Sequence, residues 1–509
     1  MFSFDNTYVR DLEGGYLAWP PSAAPEPALV RVNRELAAEL GLDDAWLDSP
    51  DAVAVLSGSR VPEGAEPIAQ AYSGHQFGMF SPVLGDGRAV LLGEVIGTDG
   101  RRRDVAFKGS GRTPFSRGGD GKAVLGPVIR EYLLGEAMHA LGIPTTRALA
   151  AATTGEQVHR EMMLPGAVLT RVAASHLRVG TFEFAARRDL GLLRRLADYA
   201  IARHYPELAG WPDRYSALVQ AVSARQAMLI AQWMSVGFIH GVMNTDNMTI
   251  SGETIDYGPC AFVEAYDPKA VFSSIDHSGR YAFGNQPGIA QWNLTRFAES
   301  LVPLVAEQPS ETGEPLGVDA AVTLLTEIVT AFVSQYDAAY GPLMAAKLGL
   351  AQVDPALITD FLELLHAHRV DFTSAFRRLT DAVPDDDAKG LHTLFAASST
   401  HPDGPTSALD LWLGRWRDAS GGSAVASDTE AQAERAERLA RMQAVNPVYI
   451  PRNHLVENAL AAAIDGDLKP FDDLLEVLAD PFTERPGLGH FAEPAPAEVT
   501  ACYRTYCGT

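Results

Sequence analysis

Ten glycines fall between residues 84 and 121, set around two short runs, RAVLLGEVIG (88–97) and DVAFKGS (104–110). Both runs have the β-branched and aromatic content of strands. So many positions without a Cβ suit loops that curl closely around a ligand. Together these features predict a strand-rich first third whose loops border a binding site. A helix is expected next, over GPVIREYLLGEAMHALGIP: Pro127 suits a first turn, and Ile129, Leu133, Ala137 and Leu141 recur at helical spacing. Gly142 and Pro144 end it, and TRALAAATT and AVLTRVA read as further strands.

From about residue 186 the apolar spacing becomes helical. DLGLLRRLADYAIARHY, SALVQAVSARQAMLIAQWM, DAAVTLLTEIVTAFVSQY, ALITDFLELLHAHRVDFTSAF and VENALAAAIDGDLKPFDDLLEVL each read as an amphipathic helix. Loops are expected at EQPSETGEPLG (307–317), HPDGPT (401–406) and DASGGSAVASDTEAQ (418–432), the last of them mobile. The layout is α+β: a strand-rich part with one prominent helix, then a large helical part interrupted by a short strand–loop–strand near residues 239–259. MLIAQWMSVGFIHGVM contains Gln232, Ser235 and His240, so it reads as a buried helix running into a strand. A membrane span would need about 20 largely uninterrupted apolar residues.

The net charge of −23 and the isoelectric point of about 4.9 make nucleic acid and anionic membranes poor partners. Only three cysteines occur in 509 residues, which excludes a disulfide scaffold and favours a reducing compartment. The opening MFSFDNTYVRDLEGG lacks a basic start followed by an apolar run, so a cytoplasmic location is expected.

Several polar residues have the right types for nucleotide chemistry. Lys108 ends an apolar strand, and a glycine-rich stretch and a helix with acidic residues follow it. A strand lysine held by a glutamate of the next helix contacts phosphates in kinases, and Glu131 and Glu136 are the candidates. They lie on different faces of the helix, so only one can serve. Asp246, Asn247 and Asp256 are hard oxygen donors. Asn247 and Asp256 can hold Mg²⁺ or Mn²⁺, leaving Asp246 to deprotonate an attacking hydroxyl. Ordinary turns would use the same residue types. Arg171 and Arg178 can clamp phosphates or make surface ion pairs. Asp120 and Gly121 close a loop that either presents N–H groups to phosphate, aided by Arg112 and Arg117, or is a solvated turn. It is not a Walker A loop. His75 and His240 read as structural.

The motifs resemble the selenoprotein O family of kinase-like protein adenylyltransferases. The carriers are YSGHQFG (72–78), LGDGRAVLLGE (84–94), FKGSGRTPFSRGGDGKAVL (107–125), REYLLGEAMHALGIPTTRAL (130–149), HGVMNTDNM (240–248), DYGPCAF (256–262), NQPGIAQWNLTR (285–296) and NPVYIPRNHL (446–455). The resemblance implies a protein-kinase-like two-lobed fold, with residues 1–172 as the N-lobe and 173–509 as the helical C-lobe. It implies ATP bound in a flipped orientation and transfer of AMP to Ser, Thr or Tyr hydroxyls of proteins, with release of pyrophosphate. By motif, Gly85, Gly87 and Arg88 belong to a first nucleotide loop and Asp120 and Gly121 to a second. Lys108 pairs with Glu131, and Arg171 and Arg178 hold the outer phosphates. Asp246 is the proton acceptor, and Asn247 and Asp256 hold the cation. UMP transfer from UTP, a γ-phosphoryl kinase and a silent nucleotide-binding scaffold are the alternatives. A monomer is expected, and a Cys260–Cys507 disulfide could tie the tail over the cleft.

Overall fold

A computed structural model describes residues 2–384, 388–398, 406–420 and 428–506. Nine strands form one antiparallel sheet, and all of them lie before residue 174. The central order runs Tyr16–Ala18, Ile68–Gln70, Ala89–Ile96, Arg102–Lys108, Met163–Ala173, Arg147–His159, Ala28–Val32. The expected strands at 88–97, 104–110, 146–154 and 167–173 are all present.

Both faces of this sheet are covered. Leu92, Val105, Phe107, Val168 and Val172 pack on one side with Leu36, Ala52 and Leu56. Leu91, Ala106 and Leu169 face the other side, where the Leu125–Ala140 helix packs through Ile129, Leu133 and Ala137. Two-sided burial explains why these strands read as almost continuous apolar runs although the sheet is antiparallel. On the helix-covered side the apolar core continues without interruption into the helical part, as far as Tyr503.

Register then places the polar residues. Lys108 pairs with Ala89 and Leu169, and Arg171 pairs with Ala106. Directly opposed residues share a face, so Lys108 and Arg171 both project toward the Leu125–Ala140 helix.

In the helical part, Arg214–Val236 ends at Gly237, whose φ of 76° closes the helix in the left-handed region. The next strand, Phe238–Ile239, pairs with Ala261–Phe262. These two short strands clamp the ends of the segment that carries Asp246, Asn247 and Asp256.

Three segments expected as single helices are each split in two. Val318–Thr330 and Phe332–Lys347 divide at Ala331. Pro355–His368 stops at Arg369, which takes a φ of 55°, and the Asp371 carboxylate then caps Phe372–Asp381 by accepting from Ser374 N at 2.8 Å. Asn453–Ile464 and Lys469–Leu478 divide at Gly466, φ 93°. Apolar periodicity survives such breaks, because a short turn can keep the same face toward the core. By length and composition Val318–Lys347 could cross a membrane, with mean hydropathy 1.3. Its Ala321, Leu325 and Val329 are buried in the core. Of the expected loops, 307–317 contains no helix or strand and is closed by an isolated bridge between Pro309 and Pro315. Residues 401–405 and 421–427 lie outside the described residues, and the flanks of the latter, to Ser420 and from Asp428, are helical.

Candidate active site

The side chains singled out from sequence converge on a cavity of about 330 Å³. Gly85, Gly87, Arg88, Lys108, Asp120, Gly121, Arg171, Arg178, Asp246, Asn247 and Asp256 all line it. Glu131 stands just behind, where its Oε2 accepts from Lys108 Nζ at 2.5 Å. Glu136 instead accepts from Arg147 and Asn33, which resolves the choice between the two glutamates.

Asp256 is the hub. Its Oδ1 accepts from Lys108 and, at 2.7 Å, from Arg171 Nη1, and Arg171 also reaches Glu131 Oε1 at 3.0 Å. Burial by itself would raise the Asp256 carboxyl, but Lys108, Arg171 and Arg178 outweigh it and hold the group well below its usual range. Asp256 adopts a φ of 62°, a left-handed conformation that Asp and Asn tolerate better than most residues.

Arg171 was expected to face the phosphates. It borders the cavity, 2% exposed, with Nε donating to His176 and Nη1 to Glu131 and Asp256, so it also braces those carboxylates from the sheet side. Arg178 sits at the start of the Val179–Arg188 helix, over the Tyr72 ring at 4.5 Å, with Nη1 3.4 Å from Asp86 Oδ1. Among the described residues its buried Nε has no partner, which leaves donor capacity on a residue that lines the cavity.

The catalytic-type loop is equally defined. Asn247 Nδ2 donates to Val242 O at 2.9 Å, which leaves its amide oxygen available to a ligand. Asp246 Oδ2 accepts from Gln76 Nε2 at 3.2 Å, while Oδ1 is buried with no partner among the described residues. Burial pushes the Asp246 carboxyl up to about 6, with Arg178 opposing. A hydrogen-bonded hairpin, Gly74–Gln76 with Met79–Ser81, brings Gln76 there. It is pinned to the loop by His75 N donating to Thr245 Oγ1 at 2.7 Å and Phe77 N to Asn244 Oδ1 at 3.1 Å. His240 is structural, as expected: its ring is buried, with Nε2 2.8 Å from Ile255 O, and burial lowers its pKa.

The glycine loops are tight against each other. A Cβ on Gly85, φ 66°, would lie 2.2 Å from the Phe115 ring, and one on Gly121, φ 68°, would lie 2.2 Å from Gly111 O. Asp120 bonds Arg160 through both oxygens, at 2.8 and 3.0 Å, and accepts from Lys122 N, so it shapes its loop as an ion-paired turn.

A divalent cation fits this donor set. Asn247 Oδ1 and Asp256 Oδ2 are hard oxygens bordering the same cavity as the unpartnered Asp246 Oδ1. Among the described residues no group of three His, Cys, Asp or Glu is arranged as a metal site. Two protein oxygens with nucleotide phosphates and waters would be the coordination, as is common for Mg²⁺.

Sequence reasoning did not assign Asp86, Gln76, Tyr72 and His176 to the site. The first three sit inside the motifs YSGHQFG and LGDGR, but only tertiary proximity reveals their partners. Cys260 is buried, donates to Tyr257 O at 3.1 Å, and has its thiol pushed up to about 12 by burial. Cys507 lies outside the described residues.

Over residues 3–479 the sequence matches the family described as Protein adenylyltransferase SelO. It is 58% identical over 513 residues to a "Protein nucleotidyltransferase YdiU" of Cereibacter sphaeroides, covering 100% of both chains. Proteins of the same name from a Mycobacterium sp. and from Methylorubrum extorquens are 54% identical, with 100% of this chain and 99% of theirs covered.

Proposed function

Because the chain belongs to the SelO family and is a protein nucleotidyltransferase, we propose that it transfers AMP from ATP to Ser, Thr or Tyr hydroxyls of proteins. The acceptor oxygen bonds to the α-phosphorus, the bond from that phosphorus to the bridging oxygen breaks, and pyrophosphate leaves. Asp246 takes the hydroxyl proton. The observation that carries this reading is the buried Asp246 Oδ1, unpartnered and in the same cavity as the Lys108–Glu131–Asp256–Arg171 cluster.

Transfer from the α-phosphorus requires that atom, not the γ-phosphorus, to face Asp246, so the reading includes the flipped nucleotide. Lys108, Arg178 and the N–H groups around Gly85 and Gly121 would bind the phosphates, with Arg88 at the same wall. Arg171 and Glu131 keep Lys108 and Asp256 in place, a preorganised electrostatic arrangement that need not reorient during reaction. Mg²⁺ or Mn²⁺, held by Asn247 and Asp256, would neutralise phosphate charge. Burial favours Asp246 as base, since a proton acceptor works best with a pKa near the operating pH. The reading also keeps a kinase-like division near residue 172, a monomer, and a cytoplasmic location.

ATP labelled on either the α or the γ phosphorus tests it. Label retained on protein only from the α position is the expected result. Label only from γ would make the chain a kinase, no label despite nucleotide binding would make it a scaffold, and a preference for α-labelled UTP would change the transferred group to UMP.

A further inference from the structure

A ridge of stacked rings and arginines runs outward from the hairpin that holds Gln76 against Asp246. The His75 ring lies 4.9 Å from Phe80 and 5.2 Å from Trp292. The Arg187 guanidinium covers Phe80 at 4.0 Å, and that of Arg280 covers Trp292 at 4.8 Å. At the hairpin turn, Arg280 packs beside Gly78, its Cζ 3.6 Å from where a Cβ would stand. Met79, beside Phe80, is 76% exposed.

The ridge places positive charge on a strongly acidic molecule. The chain carries 64 acidic against 41 basic side chains, so most arginines find a carboxylate. Among the described residues neither Arg187 nor Arg280 makes an ion pair; Arg280 Nε is buried without a partner there, and its guanidinium also hydrogen-bonds Tyr281. Nearby carboxylates are committed elsewhere. Glu183 takes His75 Nδ1 and Thr245 Oγ1, both at 2.5 Å, and Asp276 accepts the backbone N–H groups of Arg280 and Tyr281. Arg296, on the far side of Trp292, does have its own partner, Glu299. Aromatic faces hold the two guanidiniums in place, leaving the fork of exposed Arg187 and the remaining N–H groups of half-buried Arg280 for a ligand.

We propose that this ridge docks the acceptor protein and selects hydroxyls flanked by carboxylates. The proposal rests on the adenylyl-transfer reading and deepens it by naming the acceptor class. The ridge adjoins Asp246 through Gln76 and His75, so a segment presenting its hydroxyl to Asp246 would lay its neighbours along Arg280 and Arg187. Forked donors on a rigid ring suit carboxylates, and with a net charge of −23 the chain needs such a local basic site to hold an acidic segment.

The test uses two peptides that differ only in flanks, one with glutamates and one with lysines around a single serine, with α-labelled ATP. Wild-type enzyme is expected to favour the acidic peptide about tenfold in kcat/KM, equivalent to about 1.4 kcal/mol. The preference should shrink as salt screens it. Arg187→Glu, on an exposed helix end, and Arg280→Gln are expected to raise KM for the acidic peptide and erase the preference, with nucleotide binding measured separately to confirm an intact cleft. Equal use of both peptides by the wild type, or a preference that survives in both variants, overturns the ridge and leaves adenylyl transfer standing. Absence of α-label on either peptide or on the enzyme itself overturns the parent reading, and the ridge falls with it.

Discussion

Arg171 Nε donates to His176 Nε2 at 3.2 Å, and this contact sets the protonation of the histidine. A guanidinium nitrogen can only donate, so Nε2 must carry the lone pair and Nδ1 the proton. Nδ1 then donates to Asp104 Oδ2 at 3.0 Å, and Asp104 is in turn paired with Arg203 at 2.6 Å. Burial and Arg171 lower the His176 pKa, against Asp104, which raises it. A neutral imidazole therefore links the buried Asp104–Arg203 pair to the brace of the Lys108–Glu131–Asp256 cluster on the same face of the sheet.

His176→Phe would leave Arg171 Nε buried without an acceptor. A loss of about 1–3 kcal/mol in stability is expected, the scale of one unsatisfied buried group. Transfer activity should fall with it, as Arg171 is freed to move. His176→Gln can accept from Arg171 and donate to Asp104, so it should recover most of both. Denaturant unfolding and kcat for the two variants check this, and equal behaviour of Phe and Gln would remove the tautomer argument.

Asp256→Ala is expected to abolish transfer, because it removes the proposed cation ligand and the shared partner of Lys108 and Arg171. Asp256→Asn keeps a residue that accepts the positive φ and so separates charge from folding. It should fold like wild type and be equally inactive, with weakened Mn²⁺ binding by the nucleotide-loaded protein. Full activity in either variant would refute the assignment of Asp256 to the cation.

Asp246→Asn should lower the rate by about 10²–10⁴, the usual contribution of a positioned base, with little change in nucleotide affinity. Single-turnover measurement separates the two quantities. An unchanged rate would show that another group takes the proton.

Lys347 is 3% exposed, and among the described residues its amine lies against the rings of Phe376, at 4.5 Å, and Phe372, at 5.8 Å. Desolvation lowers its pKa from 10.5 to about 7. Between those two values the unfolded chain binds more protons than the folded one, so stability from this site rises with pH from about 7 toward 10.5. Lys347→Met should stabilise the protein at neutral pH by roughly 1–3 kcal/mol, and the gain should shrink as the solution becomes alkaline. Unfolding curves across that range test the sign.

Much of the site was readable because its parts are local. Glycine clustering marked the loops around Gly85 and Gly121, strand patterning placed Lys108 at a strand end, and helical spacing put Glu131 and Glu136 on different faces. The helix breaks at Ala331, Arg369 and Gly466 were not readable, since a turn of one to a few residues preserves the apolar phase that periodicity measures. Neither were Asp86, Gln76 and His176, whose partners lie 92, 170 and 72 residues away.

By itself the sequence determined the element types, the two-part α+β layout and the set of residues able to handle a nucleotide, because propensity, periodicity and side-chain chemistry act over a few neighbouring residues. Tertiary structure alone decided which of them meet. Sheet register turned Lys108 and Arg171 to the same face, helix packing presented Glu131 and withheld Glu136, and the short Phe238–Phe262 pairing closed the loop that delivers Asp256 to a lysine 148 positions earlier. Long-range packing sets such distances, and no local pattern encodes them.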